Sequence, residues 1–370
     1  MHVEDWNYIN VISTIKNKNI NDLYNNEYIG VKKNNKNVNI IKLINDINPY
    51  NGISTLLINN KFYKTDEYLD TTNPAIVEKY IKYATYNNPS RYTCLLLSGH
   101  NYTWLSKELL KYKDKYMHLI SPNKFSLQNC LKNIGGVDIL VFNTCCGMAV
   151  ETLYNIRDCC NILVGNMDYT GWEGVDENVV INYLKNSDAN PIELSEVIVN
   201  NFSPQLDGEI NYAISAYATA NATSIRNAVC DLASSLINWL KSDTHKNDVH
   251  NNKAMICDIR RSITNPNFKT GIGGNGGIDK LSVDLSKLCM EFITKIPDSD
   301  IEDNCKKLLD LLFDDKNSYR RSTDAFEGLC CLSIYFPLND YSLMKEYKNI
   351  PFNKDDCDNS WYDFLAFINL

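Results

Sequence analysis

Histidine is scarce in this sequence, with five in 370 residues. A reaction that needs an imidazole titrating near neutral pH therefore has few places to find one. His2, His245 and His250 lie in polar segments and His118 in a lysine-rich one, so His100, at the end of an apolar run, stands apart. There is no Cys-x-x-Cys pair and no Cys/His spacing of a zinc site, which argues against a zinc module. No apolar run reaches the length that spans a bilayer. The start, Met1-His2-Val3-Glu4-Asp5-Trp6-Asn7, lacks the basic-then-apolar pattern of a secretory leader, so a cytoplasmic location is expected. No EF-hand loop is present. Basic charge is not in excess: the formal net charge is -8, and neither a nucleic acid nor a membrane is expected as partner. No segment repeats internally.

Cysteine, by contrast, is abundant. Thirteen is an odd number, and Cys145-Cys146, Cys159-Cys160 and Cys330-Cys331 are adjacent pairs. Such pairs inside apolar segments behave as small buried hydrophobes rather than as a disulfide framework. A reducing compartment follows. With 44% hydrophobic and 22% charged residues, the chain has material for a large core.

Residues Val38 to Ile44 and Ser54 to Ile58 read as strands, the second closed by Asn59-Asn60. Asn73-Pro74 opens a helix carried by Ala75 to Tyr86. A strand then leads through Leu95-Leu96-Leu97 to Gly99 and His100. Trp104 to Tyr112 reads as helix, and the lysine-rich Lys111 to Leu131 as an exposed loop. A second apolar strand, Asp138 to Phe142, runs into Asn143-Thr144-Cys145-Cys146-Gly147, followed by a helix over Ala149 to Asp158 and a short strand ending at Gly165. Strand, helix and strand with short joints form a βαβ unit and predict a mostly parallel sheet. Beyond it, Asn211 to Tyr217 reads as strand, Thr223 to Leu240 as helix, and Ser242 to Asn252 as linker. Leu281 to Ile296 and Ile301 to Phe313 read as helices, and Leu329 to Phe336 as a strand stopped by Pro337. The glycine cluster Gly271 to Gly277 lacks the Lys-Ser/Thr ending of a phosphate loop and reads as surface loop.

Two buried strands thus each end in a reactive side chain, at the sheet edge where open α/β proteins bind ligands. A thiol and an imidazole meeting there make a nucleophile and its acid/base partner. Cys145 is the candidate nucleophile. Gly147 and the helix start just after it would place the sulfur near a positive dipole end and near backbone N–H groups able to hold an oxyanion. Cys146 is the rival, and a purely structural buried thiol the plainer alternative.

The segments Leu95 to Trp104, Asp138 to Glu151, Ile162-Leu163-Val164-Gly165, Thr170-Gly171-Trp172-Glu173, Gly328 to Pro337 and Ser360 to Leu365 resemble, in order, motifs of the clostripain-like cysteine peptidases. The resemblance covers the chain from about Val38 onward. It implies a caspase-like α/β/α sandwich with a mostly parallel central sheet and a C-terminal mainly helical subdomain, divided as 1–245 and 246–370. It implies an endopeptidase cleaving after Arg or Lys, with Cys145 as nucleophile, His100 as partner, and the Gly99 and Cys145 amides as oxyanion donors. Asn143, Glu173, Asp168 and Trp172 fall at the substrate pocket, where Glu173 offers a carboxylate to an Arg fork. Self-cleavage between the two strands would use Lys111, Lys113, Lys115, Lys124 or Lys132. No cofactor is required, and calcium activation stays open. The chain departs at Asn143 and Gly99, where the family has acids. Two other readings therefore stay open: a catalytically inactive binding or regulatory module, and a protease of altered specificity for one partner protein.

Overall fold

The computed structural model describes residues 4–13, 37–45, 54–59, 61–65, 74–99, 126–168, 174–186, 188–203, 211–242, 249–263, 281–337, 344–354 and 357–369. A nine-stranded sheet forms the centre, in the order β12-β10-β7-β6-β5-β1-β2-β3-β4. Its middle strands β1 (Glu4–Ser13), β2 (Val38–Asn45), β5 (Ser90–Gly99), β6 (Val137–Thr144) and β7 (Cys160–Asn166) run parallel. The hairpin β3 (Ser54–Ile58) and β4 (Lys61–Thr65) closes one side antiparallel, and β10 (Ala213–Ala218) with β12 (Ser318–Ser322) closes the other. Two short pairs lie apart: β8 (Gly174–Val175) with β9 (Phe202–Ser203), and β11 (Ser282–Asp284) with β13 (Ser333–Tyr335).

Strand side chains alternate between faces, and both faces are covered, which is why the central strands read as near-continuous apolar runs. On one face Ile9, Val11, Leu95, Leu97, Leu140 and Phe142 pack against α1 (Pro74–Asn87), α2 (Ser126–Asn133), α3 (Val150–Ile156) and the long α6 (Ala222–Lys241). On the other, Trp6, Tyr8, Cys94, Leu96, Ile139 and Val141 pack against α4 (Glu177–Leu184) and α5 (Pro191–Asn200). The result is an α/β protein with helices on both sides of a sheet whose core is parallel. After α6 come α7 (Val249–Ser262), α8 (Leu285–Lys295), α9 (Ser299–Leu312) and the C-terminal α10 (Met344–Tyr347), α11 (Pro351–Lys354) and α12 (Trp361–Asn369). Strand β12, from this later part of the chain, belongs to the main sheet.

Several sequence expectations change. The central strand β1 is an addition to the strands expected. The stretch expected to be loop as far as Leu131 ends in α2, whose Leu127 and Leu131 are buried. The linker expected over Ser242 to Asn252 runs into α7, which starts at Val249. The helix expected from Leu281 is preceded by β11, because Asp284 caps α8 by accepting from the Lys287 N–H. The strand expected over Leu329 to Phe336 shrinks to Ser333–Tyr335, after a left-handed Cys331 (φ 58°). The expected helix over Trp104 to Tyr112 and the Gly271 to Gly277 loop lie outside the described residues.

Candidate active site

Strands β5 and β6 are in register so that Ser98 faces Asn143 and Gly99 faces Thr144. The residues just before His100 and just before Cys145 are therefore direct partners at the C-terminal edge of the sheet. His100 itself lies outside the described residues, as do Trp172, Glu173, Lys111, Lys113, Lys115 and Lys124.

The chain turns at Cys145-Cys146. Cys145 is partly exposed, whereas Cys146 is buried. Cys146 adopts a left-handed backbone (φ 52°), a conformation that costs energy for a residue with a Cβ and that clusters at functional turns. The turn is held from both sides. The Cys146 N–H donates to the Asp168 carbonyl (2.9 Å) and the Met148 N–H to the Asn166 carbonyl (3.1 Å), tying it to the end of β7. The Ser333 N–H and hydroxyl both donate to the Met148 carbonyl (3.2 and 3.0 Å), tying it to β13.

The helix expected over Ala149 to Asp158 is α3, Val150–Ile156, with Ala149 at its N-cap. An isolated bridge pairs Ala149 with Ser333. Asp168 is 3% exposed and contributes its backbone carbonyl to the turn. Lys132, the one described lysine of the proposed cleavage set, sits exposed in the last turn of α2.

Asn143 is part-buried and fully engaged. Its Oδ1 accepts from the Val175 N–H (3.1 Å), and its Nδ2 donates to Ser98 Oγ (3.4 Å). It thus fixes β8, which directly follows Trp172-Glu173 in the chain. Gly174 has φ +61°, and a Cβ there would lie 1.9 Å from Asn143 Oδ1, so only glycine allows this approach. Sequence reading misses the residues behind Asn143: Ser98, Asn10, Lys42 and Glu177. For Ser98, Asn10 and Lys42 the available signal is a polar residue near the C-terminal end of a strand, and for Glu177 there is none.

Glu151, in the first turn of α3, anchors the C-terminal segment. Its Oε1 accepts from the Tyr335 N–H (2.8 Å) and the Tyr347 hydroxyl (2.9 Å), while its buried Oε2 has no hydrogen-bond partner among the described residues. Burial pushes its pKa up to about 7 against a usual 4.5, with the hydrogen bonds from Tyr335 and Tyr347 opposing the shift. The folded state then holds this proton where the unfolded state has lost it. The contribution of Glu151 to stability falls as pH rises from about 4.5 to about 7 and is level outside that window. Glu151→Gln keeps an acceptor and removes the charge. It should match the native chain in denaturant melts at pH 4 and exceed it by up to about 3 kcal/mol at pH 8. A difference independent of pH would refute this.

Among the described residues, no group of three or more His, Cys, Asp or Glu side chains is placed to hold a metal ion, and no helix is long and apolar enough to cross a membrane.

Known structures share this fold. A secreted cysteine protease from Bacteroides thetaiotaomicron, solved with an irreversible peptide inhibitor, is 12% identical, with a TM-score of 0.62 over 94% of this chain and 98% of that one. An inactive zymogen protease from Parabacteroides distasonis is 14% identical, with a TM-score of 0.64 over 96% and 99%. At these identities the likeness establishes the fold. No curated protein sequence gives a significant match. The model of the clostripain family matches residues 10–357, nearly the whole chain. The chain belongs to the clostripain family of cysteine proteases.

Proposed function

We propose that this protease is an endopeptidase that cleaves after Arg or Lys, with the Cys145 sulfur as nucleophile and His100 as its imidazole partner. The observation that carries the assignment is the difference within the cysteine pair. Cys145 is partly exposed at the end of β6, and Cys146 is buried behind it. The direct pairing of Gly99 with Thr144 supports the partnership with His100, which follows Gly99 in the chain.

In the proposed reaction the Cys145 thiolate attacks the scissile carbonyl, and the resulting oxyanion is held by the Gly99 and Cys145 N–H groups. His100 delivers a proton to the departing amine, leaving a thioester. Water attacks the thioester, His100 takes up the water's proton, and the thiolate departs, restoring the starting thiolate and protonated imidazole. Glu173 provides the negative charge that selects a basic side chain, with Asn143, Asp168 and Trp172 shaping the pocket.

The same specificity directs self-cleavage to the segment between β5 and β6. Lys111, Lys113, Lys115 and Lys124 are the preferred sites. Lys132 is less suited, because a helical turn must unwind before a protease can accept it as extended substrate. The zymogen form of the Parabacteroides distasonis protein is consistent with such processing. Thirteen free thiols suit a reducing compartment.

A library of peptides varied at the residue before the scissile bond tests the reading. Cleavage confined to Arg and Lys is expected, and Glu173→Gln should reduce it by at least about tenfold, the loss of one ion pair of about 1.4 kcal/mol. Cleavage after acidic or small residues would contradict it. The inactive binding module is favoured if the native chain cleaves nothing and no peptide electrophile labels Cys145.

A further inference from the structure

Four of the central strands carry one polar residue near their C-terminal ends on the face that packs against α4. These are Lys42 on β2, Asn10 on β1, Ser98 on β5 and Asn143 on β6; the register pairs Asn10 with Lys42, and Ser98 with Asn143. They form an unbroken chain of hydrogen bonds. Asn143 Nδ2 donates to Ser98 Oγ (3.4 Å), the Ser98 hydroxyl donates to Asn10 Oδ1 (2.9 Å), and Asn10 Nδ2 donates to Glu177 Oε1 (2.5 Å). Glu177 stands in the first turn of α4. Its Oε1 also accepts from the Tyr8 hydroxyl (3.0 Å), and its Oε2 from Lys42 Nζ (2.5 Å).

The chain has a direction, and its terminus sets it. A carboxylate only accepts hydrogen bonds, so Asn10 must turn its NH2 toward Glu177 and its oxygen toward Ser98. Ser98 must then spend its single proton on Asn10, leaving only a lone pair for residue 143. Residue 143 must therefore be a donor. Asparagine satisfies this while its other end accepts from the Val175 N–H. Aspartate, of the same shape, cannot: it would set a carboxylate against an oxygen that has no proton to give. Reversing Ser98 to serve it would strand the Asn10 oxygen or turn it against Glu177, the costly case of an unsatisfied buried group.

We propose that Asn143 is a positioning residue whose uncharged amide is dictated, through Ser98 and Asn10, by the Glu177–Lys42 ion pair. The wall it forms beside Cys145 is thereby kept neutral, and discrimination between basic and neutral substrate side chains falls to Glu173. The specificity limb rests on the protease reading; the hydrogen-bond limb does not. Glu177 keeps its charge because the attraction of Lys42 and the hydrogen bonds from Lys42, Asn10 and Tyr8 outweigh the opposing cost of burial, holding its pKa below the usual value.

The test is a set of melting temperatures for Asn143→Asp in three backgrounds. In the native chain the substitution should lower Tm by several degrees. Ser98→Ala interrupts the relay. Glu177→Gln with Lys42→Met replaces the fixed carboxylate by an amide that can turn either end to Asn10, so the relay loses its imposed direction and can reverse. In both backgrounds Asn143→Asp should cost less than half its native penalty; should the double replacement not fold, the Ser98→Ala background decides alone. An equal penalty in the Ser98→Ala and native backgrounds, or no penalty in the native chain, overturns the inference. The second readout is kcat/KM on paired reporters ending in Arg or Gln. Asn143→Asp in the Ser98→Ala background should raise the Arg-over-Gln preference at least tenfold over its parent. No change there overturns the neutral-wall limb. A native chain that cleaves neither reporter instead contradicts the protease reading and leaves the melting result to stand by itself.

Discussion

Cys145→Ala should lower kcat/KM on a peptide reporter by about 10⁴- to 10⁶-fold, the scale seen when a covalent nucleophile is removed. Cys146→Ala should stay within a few-fold of the native enzyme. The two cysteines are adjacent, so composition and spacing alone do not separate them. Burial does: a sulfur with no exposed surface behind the turn has no path to a substrate carbonyl, and its partly exposed neighbour does. The left-handed backbone at Cys146 fits the same division of labour. That residue makes the bend and lends its N–H to Asp168, while Cys145 is presented at the edge. Alanine suits the left-handed position no worse than cysteine does, so Cys146→Ala should fold. Equal loss of activity in the two variants, measured with both proteins shown to be folded, would overturn the nucleophile assignment.

Gly147→Ala should also be damaging, through shape rather than chemistry. A Cβ at Gly147 would lie 2.3 Å from Phe142 Cβ and 2.9 Å from its Cγ. Phe142 is buried in the middle of the sheet and has nowhere to go. The turn must therefore move, and Cys145 with it. Overpacking of this kind costs about 1–3 kcal/mol or more. A displacement near 1 Å at a reacting atom can cost about 100-fold in rate. Both a lower Tm and a drop of about 100-fold in kcat/KM are expected. Gly165→Ala is the matched control: its Cβ would meet the same Phe142 Cβ at 3.4 Å, an ordinary contact, and activity should fall by less than tenfold. If Gly147→Ala behaved like Gly165→Ala, the packing account of the turn would be wrong.

The parts of this fold that are readable in the sequence are those where a single local signal decides. Strands β5 and β6 are apolar on both faces because helices cover both, so each stands out as a hydrophobic run, and both end on residues able to do chemistry. Strand β1 has the same position between helices yet escapes that reading. Its run Trp6-Asn7-Tyr8-Ile9-Asn10-Val11 mixes amides with apolar residues, and both amides, Asn7 and Asn10, are buried and bonded rather than solvated. Lys42 misleads in the same way: a lysine inside a strand suggests an exposed face, but this one is 3% exposed and paired with Glu177. Such residues become intelligible only once the strand order is known. Asn10 reaches Ser98 because β1 inserts between β2 and β5, an arrangement no local pattern encodes. The departure at Asn143 is visible in the sequence as a missing acid. The reason we propose for it, the direction of the hydrogen bonds that run from residue 143 to the accepting Glu177, is not.

The measurement that bears most directly on the central claim is the site of covalent modification by an irreversible peptidyl ketone ending in Arg, located by peptide mass spectrometry on the folded native chain. One adduct is expected, on Cys145, with its rate of formation falling at least about 100-fold in His100→Ala, as general acid–base assistance is lost. An adduct on Cys146 or on another cysteine, or labelling of Cys145 at an unchanged rate without His100, would contradict the account.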